Sequence, residues 1–356
     1  MPVNKSPRAK RLVRASSAET PRRPAASPYR VGFLLFPDFP MMAFAAAIEP
    51  LRAANRLSDA QLFDWHLVSP DSGAVRASNG IEIAVGSAIG SEPDLQLDML
   101  LACSGNRDAG SGDSAVAKWL RALSRAGVRL GGISLGAYVL AYAGLLDGRR
   151  CALHWESLAA FSERFPRIRT TTDIFVIDGD RYTCAGGTAA LDMMLQVITE
   201  REGRALANDV SEQFIHPRIR STQDSQRMAI QSRLGVANKK LIAALGMMED
   251  ANDEPRAVHQ IADDVELSPR QLERLFAKYL RASPSQYYLK LRLERARAML
   301  LQTTKPILDV AVACGFASAS HFSRCYRAAY GHKPSDERAA VLAARPARDQ
   351  PRRAAR

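Results

Sequence analysis

The clearest hydrophobic pattern lies near the end of the chain, where two short segments each place apolar residues at helical spacing. The apolar positions are Val310, Ala311 and Cys314 on the first segment, and Phe322, Tyr326 and Tyr330 on the second. Gly315 supplies a tight turn between them, which predicts a helix-turn-helix unit. The second helix leaves Arg324 and Arg327 facing outward, where arginine can hydrogen-bond guanine in a major groove. An ordinary helical hairpin with a solvated polar face is the alternative.

A second copy of this pattern lies upstream, at an offset of 49 residues. The matched positions are Ile261, Ala262, Val265 and Leu267 against Val310, Ala311, Cys314 and Phe316. Beyond the turn the offset is 50, and the matched positions are Leu272, Arg274 and Phe276 against Phe322, Arg324 and Tyr326. Between the units, Ser283 and Pro284 begin a predicted helix that can hold them roughly 34 Å apart, one turn of DNA.

The segment GFASASHFSRCYRAAYGHKP, residues 315–334, matches the pattern G-F-x-S-x-S-x-F-x-R-x-[FY]-[KR]-x-x-[FY]-G-x-x-P without a departure. Residues 257–338 therefore resemble the AraC/XylS DNA-binding domain. The resemblance implies that the DNA contacts fall on Ser268, Arg270, Gln271 and Arg274 in the first unit and on Ser318, Ser320, His321 and Arg324 in the second. The bases that these residues read stay open.

From residue 31 the pattern changes to short apolar runs that alternate with amphipathic helices. The predicted strands are 31–36, 63–69, 81–85 and 99–103, and the predicted helices are 42–55 and 115–126. Such alternation predicts a parallel sheet that is covered by helices on both faces. Ligands of such sheets bind at the carboxyl ends of the strands.

The run Gly132-Ile133-Ser134-Leu135-Gly136 matches the G-x-S-x-G nucleophile elbow, in which a strand turns directly into a helix. An elbow lifts the serine above the sheet and places backbone N–H groups where an anion can bind. Serine is inert without a base, and Asp178 and His216 meet the required order only loosely. A serine hydrolase or amidase with Ser134 as the nucleophile is the alternative function.

Four further blocks surround the elbow: FLLFPDFPMMAFAAAIEPLRAANRL, SGN, GGISLGAYVLAYAGLLDGRRCALHW and TCAGGTAALDMMLQVI. Together they resemble the DJ-1/PfpI, class I glutamine amidotransferase-like domain. The likeness is greater to the version fused to AraC-type domains in GlxA-type bacterial regulators, which include regulators of arginine, glycine betaine and carnitine catabolism. Enzymatic members carry cysteine at the elbow, where this chain has Ser134. The acidic residue that assists this cysteine in DJ-1-like proteins corresponds to a position near Ala43, where this chain has no acid. Both departures remove catalytic groups and leave the cavity, which implies a domain that binds a ligand without catalysing a reaction.

The resemblance implies a ligand site made by Ser104, Gly105, Ser134, Leu135, His154 and Trp155. We expect Ser104 and the elbow N–H groups to hold a carboxylate and the indole of Trp155 to face a cation. A His beside a Trp is as often packed structure as a ligand group. The expected effector is a small amine-bearing or quaternary-ammonium metabolite with a carboxylate.

The net charge of +12 comes from the two ends of the chain, because residues 1–30 carry +7 and residues 338–356 carry +5. Both ends are rich in Pro, Ala, Ser and Arg, which predicts disordered tails. The tails either attract DNA phosphates without regard to sequence or have no function.

The five cysteines have no C-x-x-C spacing, so neither a disulfide framework nor a zinc site is expected. No apolar run approaches the about 18 residues of a membrane span, which favours the cytoplasm.

The predicted fold is an α/β domain with a flavodoxin-like parallel sheet, followed by an all-α domain with two helix-turn-helix units. The predicted divisions are a basic tail at 1–29, a sensing domain at 30–204, a helical linker at 205–237, a DNA-binding domain at 238–338 and a tail at 339–356. The protein is predicted to be a transcription regulator that activates a catabolic operon. Its predicted location is the bacterial cytoplasm, in association with the nucleoid. Its expected partners are double-stranded DNA, a small effector, RNA polymerase and a second copy of the chain, without a cofactor, metal or membrane.

Overall fold

The computed structural model describes residues 27–91, 96–227, 230–250, 255–303 and 305–344. The predicted tails therefore fall largely outside the described residues. Regular structure continues slightly into each predicted tail, because a strand begins at Tyr29 and the last helix runs from Pro334 to Ala344. Residues 339–344 are rich in alanine, which has the highest helix propensity, so the helix extends past the predicted start of the tail.

The strands are β1 Tyr29–Leu35, β2 Phe63–Ser69, β3 Val75–Arg76, β4 Glu82–Ile83, β5 Ser87–Ala88, β6 Met99–Ser104, β7 Arg129–Ser134, β8 Arg150–Ala152, β9 Arg169–Thr171, β10 Phe175–Asp178 and β11 Arg181–Cys184. Within the described residues, seven of them form one sheet in the order β10-β11-β7-β6-β1-β2-β5. All neighbours in this sheet are parallel except β10 and β11, so the predicted parallel sheet is confirmed.

The helices of the N-terminal domain are α1 Met41–Ser58, α2 Ser114–Arg125, α3 Gly136–Tyr142, α4 Leu158–Arg164, α5 Ala189–Glu202 and α6 Arg204–Gln213. They cover both faces of the sheet. Successive side chains of a strand point to opposite faces, so each strand contributes to two cores. Val31 and Phe33 of β1 pack in a core with α1, α5 and α6, whereas Leu34 packs in a second core with α2, α3 and α4.

The predicted strand at 81–85 is not a member of this sheet. Only Glu82–Ile83 is extended, and it pairs antiparallel with Val75–Arg76 in a small hairpin. Asn79 and Gly80 lie in the connecting loop, where Gly80 has a φ of 88°. Asn-Gly between extended segments is a strong hairpin signal, and it accounts for the local pairing.

The helices of the C-terminal domain are α7 Ile230–Leu234, α8 Lys239–Asp250, α9 Val258–Asp264, α10 Pro269–Leu280, α11 Pro284–Gln302, α12 Ile307–Ala313, α13 Ala319–Tyr330 and α14 Pro334–Ala344. They enclose two separate cores, one around α8 to α10 and one around α11 to α13. The predicted connecting helix is confirmed, since Ser283 caps α11 by accepting the Gln286 N–H at 3.2 Å. None of the helices in the described ranges is long and apolar enough to cross a membrane.

Candidate effector cavity and nucleic-acid interface

The predicted elbow is present, since β7 ends at Ser134 and α3 begins at Gly136. Ser134 has a φ of 57°, in the left-handed region that is strained for residues other than glycine. A Cβ on Gly132 would lie 2.4 Å from the Ala137 nitrogen, and one on Gly136 would lie 1.9 Å from the Ala102 carbonyl oxygen. Close packing of the helix on the strand therefore requires both glycines of the G-x-S-x-G run, whatever its chemistry.

A cavity of about 390 Å³ opens at the carboxyl edge of the sheet, beside Ser134. Its lining residues are Asp38, Pro40, Ser78, Gly105, Ser134, Leu135, His154 and Glu156. We call this space the elbow cavity. Four of the six predicted ligand residues meet there, namely Gly105, Ser134, Leu135 and His154. Gly105 follows β6, Ser134 and Leu135 stand at the end of β7, and His154 follows β8, so the cavity lies at the strand ends where a parallel sheet is expected to bind its ligand.

Ser104, a fifth predicted ligand residue, does not line the elbow cavity. It is fully buried, and its hydroxyl donates to the Asn106 carbonyl at 2.8 Å and accepts the Asn106 N–H at 2.9 Å. The Ser104 carbonyl accepts the N–H of Leu135 at 3.0 Å. The elbow donor that we expected to bind a carboxylate is therefore already paired within the fold.

Trp155, the sixth predicted ligand residue, lies next to the elbow cavity rather than in its wall. The guanidinium of Arg227 stands 4.6 Å from the centroid of its indole. The ring of His154 lies 5.6 Å from the indole. The aromatic ring that we expected to face a cationic ligand thus carries a cation of the chain itself, and Arg227 is too distant in sequence for the pattern to have shown this.

Two acidic residues for which the sequence predicted no role, Asp38 and Glu156, also line the elbow cavity. Asp38 lies in the turn after β1, with a φ of 62°. A Cβ on Gly105 would lie 2.0 Å from the Asp38 carbonyl oxygen, so this turn and the end of β6 are in close contact. Glu156 Oε2 is 3.8 Å from His154 Nδ1. The sequence could have predicted Asp38 as a cavity residue, because it follows the buried strand β1, and residues after such strands lie at the ligand-binding edge of a parallel sheet.

The acid and base named for a Ser134-dependent hydrolase do not assemble around it. Asp178 pairs with Arg181 beside the start of β7, whereas Ser134 ends that strand. His216 Nε2 lies 2.9 Å from Asp192 Oδ1. Within the described ranges, no hydrogen bond joins Ser134 Oγ to another residue.

A buried carboxylate holds the segment after α6 against the N-terminal domain. Asp192 of α5 is fully buried and accepts hydrogen bonds from Arg220 N at 2.7 Å and Arg220 Nε at 2.9 Å, in addition to His216. Arg220 also donates to Thr188 Oγ1 at 2.7 Å. A buried charge is stable only when it is paired and hydrogen-bonded, so this segment is firmly anchored.

The anchored segment ends where the two domains meet. Gln226 Oε1 accepts the Trp155 N–H at 2.8 Å, and Arg227 Nη1 donates to Glu249 Oε2 of α8 at 3.2 Å. Arg227 therefore contacts Trp155 of one domain and Glu249 of the other. A second ion pair joins the domains, between Lys305 Nζ and Glu163 of α4 at 3.3 Å. Trp155 stands in sequence between His154 and Glu156 of the cavity wall. The wall is therefore linked to the C-terminal domain through Arg227.

The two predicted helix-turn-helix units are confirmed as α9 with α10, the first unit, and α12 with α13, the second unit. Leu272 and Phe276 of α10 are fully buried, as are Phe322 and Tyr326 of α13. The burial pattern thus repeats at the predicted offset of 50. The predicted outward positions Arg270, Arg274, Ser320, His321 and Arg324 are all exposed.

Three other predicted DNA contacts serve as helix caps. Ser268 accepts the Gln271 N–H at 3.3 Å, and Gln271 Oε1 accepts the Ser268 N–H at 2.8 Å, which completes a capping box. Ser318 accepts the His321 N–H at 3.2 Å. These side chains therefore stabilise the starts of the exposed helices, and the amide oxygen of Gln271 is occupied.

An α/β domain with a cavity at its strand ends, followed by two helix-turn-helix units, is the architecture of a bacterial transcription regulator. The DJ-1/PfpI family profile matches residues 30–200, and a helix-turn-helix domain profile matches residues 261–340. The chain belongs to the AraC-type transcriptional regulators that carry an N-terminal DJ-1/PfpI domain.

Its curated relatives narrow this class further. The chain is 46% identical to the HTH-type transcriptional regulator CdhR of Pseudomonas aeruginosa, over 90% of this chain and 94% of CdhR. It is 46% identical to the regulator GbdR of the same organism, over 88% of this chain and 84% of GbdR. It is 38% identical to the regulator GlxA of Rhizobium meliloti, over 87% of this chain and 95% of GlxA. The predicted resemblance to GlxA-type regulators is confirmed.

Proposed function

We propose that the protein activates a catabolic operon when a small nitrogen-containing metabolite binds in the elbow cavity. The observation that carries this proposal is the wall shared by Ser134, His154, Asp38 and Glu156 at the strand ends, one residue from Trp155 and its contact with Arg227. Binding there can alter the interdomain contact, and a tenfold change in operator affinity needs only about 1.4 kcal/mol of coupling. RNA polymerase and a second copy of the chain are the further proposed partners, and the bacterial cytoplasm, on the nucleoid, is the proposed location.

The charge of the elbow cavity supports an effector with a cationic group. Asp38 and Glu156 supply two carboxylates, and Arg227 already covers the Trp155 ring, so we assign the cationic group to these carboxylates. The hydroxyls of Ser78 and Ser134 supply donors for a carboxylate at the other end of the ligand. An amino acid, a betaine or carnitine has both groups.

Calorimetric titration of the full chain with arginine, glycine betaine, carnitine and uncharged sugars tests the ligand class. We expect at least one zwitterion or cation to bind, and Asp38→Asn to weaken its affinity by roughly tenfold, because the amide removes a negative charge that attracts both an ammonium and a quaternary ammonium group. Asp71→Asn removes an exposed carboxylate outside the cavity and is the matched control. Binding of sugars alone would overturn the ligand class.

A serine hydrolase is the second candidate, because Ser134, His154 and Glu156 share one cavity. Two observations favour a catalytically silent site. Ser134 Oγ has no hydrogen bond to a base in the described ranges, and the Leu135 N–H, an oxyanion-hole donor in elbow hydrolases, is paired with Ser104. A serine-reactive fluorophosphonate should therefore leave the protein unlabelled. Labelling that disappears in Ser134→Ala would establish the hydrolase instead.

We propose that α10 and α13 enter successive major grooves, with Arg270, Arg274, Ser320, His321 and Arg324 at the bases or phosphates. Arg274 and Arg324 are matched arginines, since they lie at the same position of the two units. Each arginine-to-alanine change should cost about 1–3 kcal/mol of operator affinity and relax discrimination in its own half of the site. Unchanged operator affinity in both variants would contradict the placement of α10 and α13 in the major groove.

We also propose the division of the chain into a sensing domain at 30–204, a helical linker at 205–237 and a DNA-binding domain at 238–338.

A further inference from the structure

One charged side chain on the outer surface of the first unit contacts no oppositely charged group among the residues that the structure describes. Glu273 of α10 is exposed, lies one helical turn after Arg270 and precedes Arg274. It forms no ion pair or side-chain hydrogen bond with any residue in the described ranges. Because Gln271 is occupied in the capping box with Ser268, the charged groups near the start of α10 are those of Arg270, Glu273 and Arg274, and Lys278 lies exposed further along the helix.

The chemistry of a carboxylate limits what it can meet on DNA. It only accepts hydrogen bonds, and phosphates repel it. The donors in the major groove are N4 of cytosine and N6 of adenine, and adenine N6 stands beside the acceptor N7, whereas cytosine presents a donor alone. We propose that Glu273 accepts a hydrogen bond from cytosine N4 and makes the first unit selective for one C·G base pair. This proposal rests on the entry of α10 into the major groove.

The second unit shows what the carboxylate adds. Its residue at the position of Glu273 is Ser323, which is partly buried and whose hydroxyl both donates and accepts. The outward residues of α13 are Ser320, His321, Arg324 and Arg327, without a carboxylate. A side chain that accepts and cannot donate therefore occurs on α10 and not on α13, and selectivity for cytosine at this position belongs to the first half-site.

Selection of bound duplexes from a randomised DNA pool, with the full chain, tests the assignment and requires no defined operator sequence. The variants are Glu273→Ala, Glu273→Gln and Arg274→Ala, with Asp263→Ala as the matched control, since Asp263 is an exposed acid on α9 of the same unit. We expect one cytosine column in the wild-type site. It should lose its preference in Glu273→Ala and shift towards adenine in Glu273→Gln, because an amide binds adenine N6 and N7 together.

The outcomes separate this proposal from the one on which it rests. If Glu273→Ala tightens binding to all duplexes equally and leaves every column intact, the carboxylate is only a repulsive charge and the proposal is overturned. If Arg274→Ala changes a column but Glu273→Ala does not, α10 enters the groove and only the role of Glu273 is wrong. If neither variant changes a column, the groove placement fails as well. Loss of the cytosine column in Asp263→Ala would also overturn the assignment.

Discussion

The two helix-turn-helix units share a backbone plan that they reach with different side chains. Each exposed helix has 12 residues and begins after a serine cap, Ser268 in one unit and Ser318 in the other. Both units turn through a left-handed residue, which is Glu266 with a φ of 52° in the first and Gly315 with a φ of 72° in the second. Only glycine adopts this conformation without strain, so the same geometry costs the first unit more.

The difference recurs after each exposed helix and in the support behind it. The first exposed helix is followed by Arg281, with a φ of 52°, and the second is followed by Gly331, with a φ of 79°. Behind the first helix, the ring of Tyr287 contacts Phe276 at 5.8 Å, whereas Glu337 accepts the Tyr326 O–H at 3.0 Å behind the second. The first unit therefore combines strained turns with an aromatic contact, and the second combines relaxed turns with a carboxylate that accepts a hydrogen bond from its buried tyrosine.

The largest effect is expected from Gly315→Ala. A Cβ there would lie 1.9 Å from Pro255 Cγ, so the variant adds a collision to the left-handed φ. The two penalties should destabilise the C-terminal domain by about 2–4 kcal/mol, measured by chemical denaturation. Gly331→Ala is the matched control, since its Cβ meets nothing within 4 Å. Equal losses in both variants would show that Pro255 is not a real constraint.

Glu337→Gln should cost the second unit about 1–3 kcal/mol, because the carboxylate binds His332, Tyr326 and Arg297. Burial acts to raise the pKa of Glu337, but these hydrogen bonds outweigh it and hold the pKa below its ordinary value. The contribution of the charge is thus complete above the ordinary value of 4.5 and is lost as the pH falls through the lowered pKa. Denaturation curves of the two proteins should converge below that pH. A gap that stays constant at all pH values would refute the role of the charge.

The pattern of apolar residues predicted most of this comparison, because burial at helical spacing depends on local sequence. The offset of 49 that becomes 50 correctly placed Leu272 opposite Phe322, and the caps follow the same offset. The pattern could not assign the side chains of Ser268 and Gln271, since a capping serine and a DNA-binding serine look alike in sequence. Only their hydrogen bonds distinguish them.

The elbow cavity was predictable in position and only partly in composition. Gly105, Ser134 and His154 follow strands whose ends converge, so topology placed them. The cover of Trp155 by Arg227 depends on a contact between distant segments, which no local pattern encodes. The strand expected at 81–85 failed for a related reason, because alternation predicts an extended segment without naming its pairing partner.

Glu266→Gly should stabilise the C-terminal domain, which tests whether the first unit is truly strained. Relief of the left-handed φ should gain about 1 kcal/mol, reduced by the greater freedom of glycine in the unfolded chain. The lost ion pair with Lys240 is exposed and counts for little. Arg281→Gly is an independent copy of the experiment. Destabilisation by both variants would contradict the comparison.

The smallest effect is expected where the units differ only in the polarity of one exposed side chain. Leu308 of α12 is 55% exposed, and the first unit has the exposed His259 at the same position of α9. Since Leu308 already meets water, Leu308→His should change the free energy of unfolding by no more than about 0.5 kcal/mol. Val310→Ala is the contrasting variant, because Val310 is fully buried on the same helix and its truncation should cost well over that amount. A loss of more than about 1 kcal/mol for Leu308→His would mean that this surface packs against something in solution, and denaturation at several protein concentrations would then show whether a second copy of the chain covers it.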